Sequence, residues 1–440
     1  MNEEVRKMKR PSTRRSLMAT LGAVGITGLA GCSGGTGSTP TANESSTPSN
    51  MTTTQPTTDA GNETTTTESS DSQNQAFTRG ELVEDFEAFE DSRWGNIGGT
   101  TEPDTDEVYA GSQSLHMSNE NGNVAGIFKA FPDGLDLSKH DLSIAVKLEK
   151  PVRGKIAAEI IAPARSDMLV SKRYIPKELN GWVRIDLGYT GRKGDPVLEG
   201  VQELRLMVQT EEGTPIDAWI DDLRKIPKPK KGKVMLQFDD AVTSQYEVAF
   251  KELQERGWAG GVAIIPDAIN SEGNLTTGQM REMRDAGWDM MAHPQTPQPL
   301  PSYSEAKQQR MIQQAHNYLK LKGFPKGARH FVAPYNRVSK TTLDIISEYH
   351  ETSYMFGACP NNAQQPSNMH AISRVMGKDP RGTRRILNIA EAYNQLVVIQ
   401  WHDIGEGDDY ETSPEDFQNV LDHIEKKDMD VITPSDLIDS

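Results

Sequence analysis

Val234-Met235-Leu236-Gln237-Phe238-Asp239-Asp240 is the stretch on which the fold turns. An apolar run of this length before a turn reads as a buried strand. Two adjacent carboxylates at its C-terminal end are costly to bury and repel each other. A metal ion, or a role that needs one raised pKa, offsets that cost. A solvated Asp-Asp turn accounts for the pair taken alone. The sequence downstream shifts the balance, because His293, Pro334-Tyr335 and His402 each close a similar apolar stretch.

Outward from this strand, apolar runs alternate with amphipathic helical stretches. Strands are expected at Val234 to Phe238, Gly261 to Ile265, Trp288 to Ala292, His330 to Ala333, Thr352 to Phe356, Ala371 to Val375, Leu396 to Trp401 and Val431 to Thr433. Helices are expected at Ser244 to Arg256, Thr277 to Ala286, Ser304 to Lys322, Lys340 to Tyr349, Arg381 to Tyr393 and Pro414 to Lys427. Ser413-Pro414 is a helix entry, and Gly257, Gly287 and Gly323 are helix stops. Such alternation predicts a parallel sheet wound by helices, an α/β barrel of seven or eight strands. Barrel chemistry lies at the C-terminal ends of strands. Asp239, Asp240, His293, Tyr335 and His402 all fall at such ends, so one mouth would gather all five. His330 opens its strand and belongs to the opposite end, and mid-helix His316 reads as a surface residue.

Five segments from Lys233 onward resemble the motifs of the polysaccharide deacetylases, carbohydrate esterase family 4, with their NodB-homology barrel. The resemblance covers nearly half the chain. Gln237-Phe238-Asp239-Asp240-Ala241 is similar to the family's T-F-D-D-G. Gly287 to His293 resembles the segment that brings the first metal histidine, and Phe331-Val332-Ala333-Pro334-Tyr335 resembles F-R-P-P-Y. Leu396 to Asp403 resembles an apolar strand ending in L-H-D, and Ile432 to Leu437 the final strand and turn.

The resemblance implies a divalent metal, zinc by the family's habit, that polarises an acetamide carbonyl and activates water. It implies Asp239 as general base, Asp240 and His293 as metal ligands, His402 as general acid and the backbone N–H of Tyr335 as an oxyanion donor. The departures have expectations of their own. Pro297 stands where the family has its third metal ligand, which leaves two protein ligands, with Gln295, Thr296, Tyr303 or water to fill the gap. Val332 stands where the family has an arginine, so the usual orientation of Asp239 is expected to be lost.

The chain before this barrel is of a different kind. From Ala76 to Ile226 (residues 76–226), short alternating runs recur between Gly, Asp, Asn and Pro turns, at Ser114 to Met117, Ala125 to Phe131, Leu142 to Leu148, Gly154 to Ile161, Trp182 to Leu187, Glu203 to Val208 and Ala218 to Leu223. This spacing predicts an all-β jelly-roll sandwich. Asp85-Phe86-Glu87, Gly111 to Leu115 and Trp219 to Leu223 resemble parts of the carbohydrate-binding jelly rolls that accompany polysaccharide-active enzymes. That resemblance implies a sugar site on exposed Trp94, Trp182 or Tyr189, and a structural calcium at Glu87, Asp91 and Asp222. A spacer domain with core aromatics and a solvated acidic rim is the other reading. Residues 227–232 open with Pro-Lys-Pro-Lys-Lys, a stiff basic linker, and 233–440 is the barrel.

The N-terminus reads as an address. Arg6 to Arg15 is basic, and Leu17 to Ala30 is apolar but short, as in a signal segment. Ser12 to Leu17 resembles a twin-arginine export signal, and Leu29-Ala30-Gly31-Cys32 a lipobox, so residues 1–32 predict export and lipidation at Cys32. Residues 33–75 are Ser/Thr-rich, form no core and read as a tether, with glycosylation-type triplets at Asn43, Asn50 and Asn62. The expected localisation is the cell surface, anchored to the membrane. Cys359, the one other cysteine, reads as a small buried hydrophobe.

The 440 residues suit two domains with extensions. A net charge of −16 argues against a nucleic-acid partner, which would need a basic face, and suits a halophilic surface. The first functional expectation is an exported metal-dependent hydrolase deacetylating an N-acetylated extracellular polysaccharide. The alternative is a catalytically degenerate, glycan-binding surface protein on the same barrel, and a third option is hydrolysis of a non-sugar amide.

Overall fold

The computed structural model describes residues 77–89, 93–151, 154–176, 178–405 and 411–439. The signal segment, Cys32, the tether, its asparagine triplets and Asp91 lie outside them. The described residues belong to one compact unit. No helix among them is long and apolar enough to cross a membrane.

Two six-stranded sheets built of antiparallel pairs occupy Glu81 to Pro227. One runs Thr100–Asp104, Ser114–Asn119, Ile216–Pro227, His140–Lys150, Val183–Asp186, with Glu81–Glu84 also on Ile216–Pro227. The other runs Tyr189–Lys193, Met168–Ile175, Gly154–Ile161, Val201–Glu212, Gly122–Leu135, Gly95–Gly98. Alternate residues of both sheets, among them Leu115, Ile144, Val146, Ile156, Leu204 and Ile220, are fully or almost fully buried in a common core. This is the sandwich that the alternating pattern predicts.

Its aromatics are placed differently from the expectation. Tyr189 is fully buried, edge-on to Tyr393. Trp94 is half-buried and donates to Glu84 (2.7 Å), and Trp182 leans on Tyr109. None is an open sugar platform. The acids of the expected calcium site are engaged elsewhere: Asp222 pairs with Arg184 and Arg224, and Glu87 accepts from Ser112 and Gln113.

The C-terminal half is a closed ring of seven parallel strands: β1 (Gly232–Phe238), β2 (Gly261–Ile264), β3 (Asp289–Ala292), β4 (His330–Val332), β5 (Thr352–Phe356), β6 (Ile372–Met376) and β7 (Gln395–Trp401). β7 closes on β1 through Lys233↔Leu396 to Phe238↔Trp401. The last expected strand, Val431 to Thr433, forms as Met429–Ile432 and adds no ring member, so the ring has the lower of the two expected counts. It pairs with Gly232–Met235 of β1, while β2 takes Gln237–Phe238.

All six expected helical stretches are present. Thr276 and Gln279 form a capping box, and Ser339, Asp379 and Ser413 cap the helices they precede. Gly323, at φ 92°, ends the helix Glu305–Lys322 in the left-handed conformation that glycine adopts cheaply. The first helix departs from expectation, since Gln245–Phe250 is π-helical before it becomes α-helical at Lys251–Glu255.

Strand parity positions the site. Val234, Leu236 and Phe238 face the helices, where Phe238 packs on Trp288, Trp401 and Phe417. Met235 packs inside the ring with Met291, Val332 and Val398. Gln237 and Asp239 share the parity of Met235 and so stand above it on the inner face.

Sandwich and barrel are joined by buried polar contacts. Asn362 donates to Asp141 and to the Pro227 carbonyl (both 2.9 Å), and its backbone N–H to Asp186 (3.0 Å). Gln395 donates to Asp141 (2.9 Å) and accepts from the Tyr189 N–H (2.9 Å). A Cβ at Gly188 would lie 2.0 Å from the Pro360 carbonyl, so only glycine lets these backbones meet. The expected linker is fixed by the same contacts: Lys228 N–H donates to the Lys139 carbonyl, and Lys231 pairs with Asp428 and Asp430.

Burial pushes the Asp141 carboxyl up from its ordinary value to about 6, against the nearby Lys228 and the hydrogen bonds from Gln395 and Asn362. A carboxyl raised on folding binds its proton more tightly in the native state, so its contribution to stability falls as pH rises from about 4 to about 6. Asp141→Asn removes that dependence. In denaturant titrations, the stability of the wild type minus that of the variant should be larger at pH 4.5 than at pH 7.5, by on the order of 2 kcal/mol. Equal differences at the two pH values would contradict the assignment.

Candidate active site

The end of β1 turns sharply. Asp240 and Ala241 both adopt left-handed backbone, at φ 74° and 54°, a conformation that costs a residue with a Cβ about 1–2 kcal/mol. The turn is held from several sides. Asp239 N–H donates to the Trp401 carbonyl (2.8 Å), Leu275 N–H to the Ala241 carbonyl (2.8 Å), and the Gln245 amide spans the carbonyls of Asp239 and His402 (2.8 Å to the latter). The π-helical start of the first helix carries Gln245 into this position, so one fully buried side chain ties the ends of β1 and β7. The outcome is two adjacent aspartates with opposite environments. The Asp239 side chain is 4% exposed and that of Asp240 is 44% exposed.

Asp239 is oriented after all, by a residue the motif reading passed over. Arg374, fully buried in the middle of β6, grips both carboxylate oxygens, at 2.8 and 3.0 Å. The same guanidinium reaches Gln237 Oε1 (3.3 Å) and Asn336 Oδ1 (2.6 Å). The expectation that Val332 costs Asp239 its orientation is thereby corrected. The positive charge comes from β6 instead of β4. Gln237, standing for the usual threonine, supplies one of the acceptors that a buried arginine needs.

His293 follows β3 and is 7% exposed. Its Nδ1 lies 2.8 Å from the Val332 carbonyl, which can only accept, so Nδ1 carries the proton. Nε2 then faces Asp240 Oδ1 at 3.6 Å. Burial pushes this imidazole down, but Asp240, Asp239 and the Val332 carbonyl outweigh it and the net shift is upward. A lone pair facing a carboxylate oxygen at that distance favours a positive charge between them. The two groups fit a divalent cation held by two protein ligands. The third donor of a catalytic zinc is missing, and no group of three His, Cys, Asp or Glu able to hold a metal occurs among the described residues. Thr296 Oγ1 and the Tyr303 hydroxyl, in the loop after His293, are buried without a hydrogen-bond partner, but both are poor zinc donors.

His402, one residue past β7, brings Nε2 to 3.9 Å from Asp239 Oδ2, and its side chain is 25% exposed. Tyr335 takes a positive φ of 59°, donates its hydroxyl to the Thr296 carbonyl (2.8 Å) and is 55% exposed as a residue. All five expected residues therefore sit at strand ends on one rim, linked to one another by direct contacts or through Arg374 and Thr296. His330 lies at the other end, fully buried between Thr352 and Ser435. His316 is half-buried and bonds the Ala328 carbonyl. Cys359 is fully buried and free.

Residues 227–353 match the family model described as polysaccharide deacetylase. A Bacillus subtilis (strain 168) protein designated polysaccharide deacetylase YxkH is 25% identical over 158 residues, 34% of this chain and 52% of that protein. The match thus spans about half the length of that relative. Among solved structures, the Xyl-CE4 domain of a multidomain xylanase from the hindgut metagenome of Trinervitermes trinervoides has a TM-score of 0.34 at 14% identity, covering 48% of this chain and 91% of that one. A family 11 carbohydrate-binding module from Clostridium thermocellum has a TM-score of 0.27 at 15% identity, covering 34% of this chain and 98% of that one.

Removing one partner of a buried ion pair strands the other. Arg374→Met should therefore lower unfolding free energy by about 3–5 kcal/mol. Combining it with Asp239→Asn should recover part of that loss, because no carboxylate is then left unpaired. Denaturant titration of the two single variants and the double variant measures the coupling. Strict additivity would refute a direct pairing.

Proposed function

We propose that this chain is a hydrolase that removes acetyl groups from an N-acetylated polysaccharide, with Asp239 as general base and His402 as general acid. The observation that carries the reading is the gathering of Asp239, Asp240, His293, Tyr335 and His402 on one barrel rim. The deacetylase family match over 227–353 supports it.

In this reading Asp240 and His293 hold a divalent cation, which when bound polarises the acetamide carbonyl and lowers the pKa of water. The other steps belong to the chain's own groups. The Arg374 fork fixes the plane of the Asp239 carboxylate, which takes the proton from the attacking water. The Tyr335 N–H donates to the carbonyl oxygen as it gains charge. The Asp239 and His402 side chains lie 3.9 Å apart, on one side of the mouth. From there His402 delivers a proton to the leaving nitrogen as the C–N bond breaks, and the products are acetate and a free amine. The basic, apolar and Leu29-Ala30-Gly31-Cys32 segments support export and anchoring through a lipid on Cys32. The substrate is then a glycan outside the cell.

A second reading is favoured by Pro297, which leaves the cation two protein ligands: the barrel binds glycan without cleaving it. Protein supplied with zinc, cobalt or nickel and given N-acetylglucosamine oligomers or cell-surface glycan should release acetate. Asp239→Asn should lower the rate by about 10²–10⁴-fold. Glycan retention with no acetate under any metal would select the second reading, and acetate release unchanged by Asp239→Asn would remove Asp239 from its role.

A further inference from the structure

We propose that sandwich and barrel together build an extended glycan track leading into the catalytic mouth, with Tyr174 at its centre. This rests on the reading above, that a glycan is presented to the rim at Asp239.

The first observation is a hollow of about 250 Å³ at the junction, with one wall from each part of the chain. The sandwich contributes Tyr174, Pro176 and Glu178, and the barrel contributes Tyr335, Asn336 and Met376. Large exposed hydrophobic side chains are few among the described residues, and two of the five, Tyr335 and Met376, line this hollow at 55% and 44% exposure. Apolar side chains left open beside a reactive rim are the mark of a ligand surface more than of a solvated edge.

The hollow is tied directly to the chemistry. Asn336 accepts from Arg374, the residue that holds Asp239. Tyr335 supplies the backbone N–H assigned to the oxyanion. A ligand filling the hollow would therefore lie beside the groups that position the reacting bond.

The second observation extends the path. A trough of about 390 Å³ crosses the outer face of the neighbouring sandwich sheet, and Tyr174 lines it as well. Lys155, Lys172, Gln209 and Glu211 also line the trough and present hydrogen-bonding groups along it. Tyr174 is held between the two spaces. Its ring lies 5.6 Å from Phe356 of the barrel, Lys155 Nζ sits 4.7 Å from its centroid, and its backbone N–H donates to the Gly357 carbonyl at 2.9 Å. Glu178 and Arg337 form a two-bond ion pair across the same junction (2.9 Å for one bond) and hold its walls together. The track is thus pre-formed.

Its chemistry selects the occupant. Aromatic and thioether side chains together with amide, carboxylate and ammonium groups fit a linear polymer of pyranose rings, whose C–H faces stack and whose hydroxyls both donate and accept. A free acetylated monosaccharide would fill only the mouth. Affinity and turnover should therefore rise with chain length.

The test uses the full chain and N-acetylglucosamine oligomers of two to six units, in two assays. Binding is titrated directly, with no need for turnover, and acetate release is followed in parallel. Wild type should bind six units more tightly than two. Tyr174→Ala should remove about tenfold of that advantage. Met376→Ala, a truncation at an exposed site that leaves the fold untouched, should remove a smaller share of the same advantage. Length-independent binding by wild type, or an advantage that survives in both variants, would overturn the track. Length-dependent binding lost in Tyr174→Ala, with no acetate from any protein, would sustain the track and reject the hydrolase.

Discussion

The candidate site depends on one buried ion pair. Asp239 and Arg374 have side chains that are 4% and 0% exposed, and each would be costly to bury alone. Paired through two hydrogen bonds, they fix one another and couple four elements: β1 through Asp239 and Gln237, β6 through Arg374, the loop after β4 through Asn336, and β7 through the Gln245 bridge between Asp239 and His402. The desolvation that makes the pair expensive also makes it directional, because any rotation of the carboxylate breaks a bond that no water replaces. The adjacent Asp240 lies outside that pair and faces His293. Two neighbouring aspartates thereby acquire separate tasks from their surroundings.

The substitutions around the site are consistent with one another. An arginine on β6 makes an arginine on β4 redundant, so Val332 completes the barrel interior instead. The longer Gln237 follows, since it reaches the new guanidinium. Pro297 is different. It supplies no donor atom, and no group of three His, Cys, Asp or Glu able to hold a metal occurs among the described residues. In the proposed reading the cation then has two protein ligands, Asp240 and His293.

Much of this was legible in the sequence, and the exceptions have physical causes. The barrel strands and helices follow from apolar periodicity, and the five rim residues from their positions at strand ends. Arg374 was hidden because it lies mid-strand in Ile372-Ser373-Arg374-Val375, 135 positions from its partner, and only ring closure brings the two together. The choice between seven and eight ring strands stayed open in the sequence because pairing on half of an edge leaves no trace in composition. Five sandwich strands were missed. Thr100–Asp104, with its proline, and glycine-bounded Gly95–Gly98 carry little apolar pattern, and Met168–Ile175 alternates its apolar residues with lysine and arginine. Tyr189 looked like a binding aromatic, but it fills the junction between sandwich and barrel, a contact invisible while each part is read alone.

The junction gives the sandwich a place in the chemistry. It docks through Asp141 and Asp186 against Gln395 and Asn362 at the N-terminal end of β7 and through Arg173 against the Ala371 carbonyl before β6, and it reaches the rim side where Glu178 pairs with Arg337 after β4. The central claim remains that distant strand ends enclose a single cation beside an oriented base. Anomalous diffraction from crystals soaked in a divalent metal tests it most directly. The account predicts a peak about 2.0–2.2 Å from both an Asp240 carboxylate oxygen and His293 Nε2, with Asp239 still gripped by Arg374. A metal bound elsewhere, or none at saturating concentration, would contradict it.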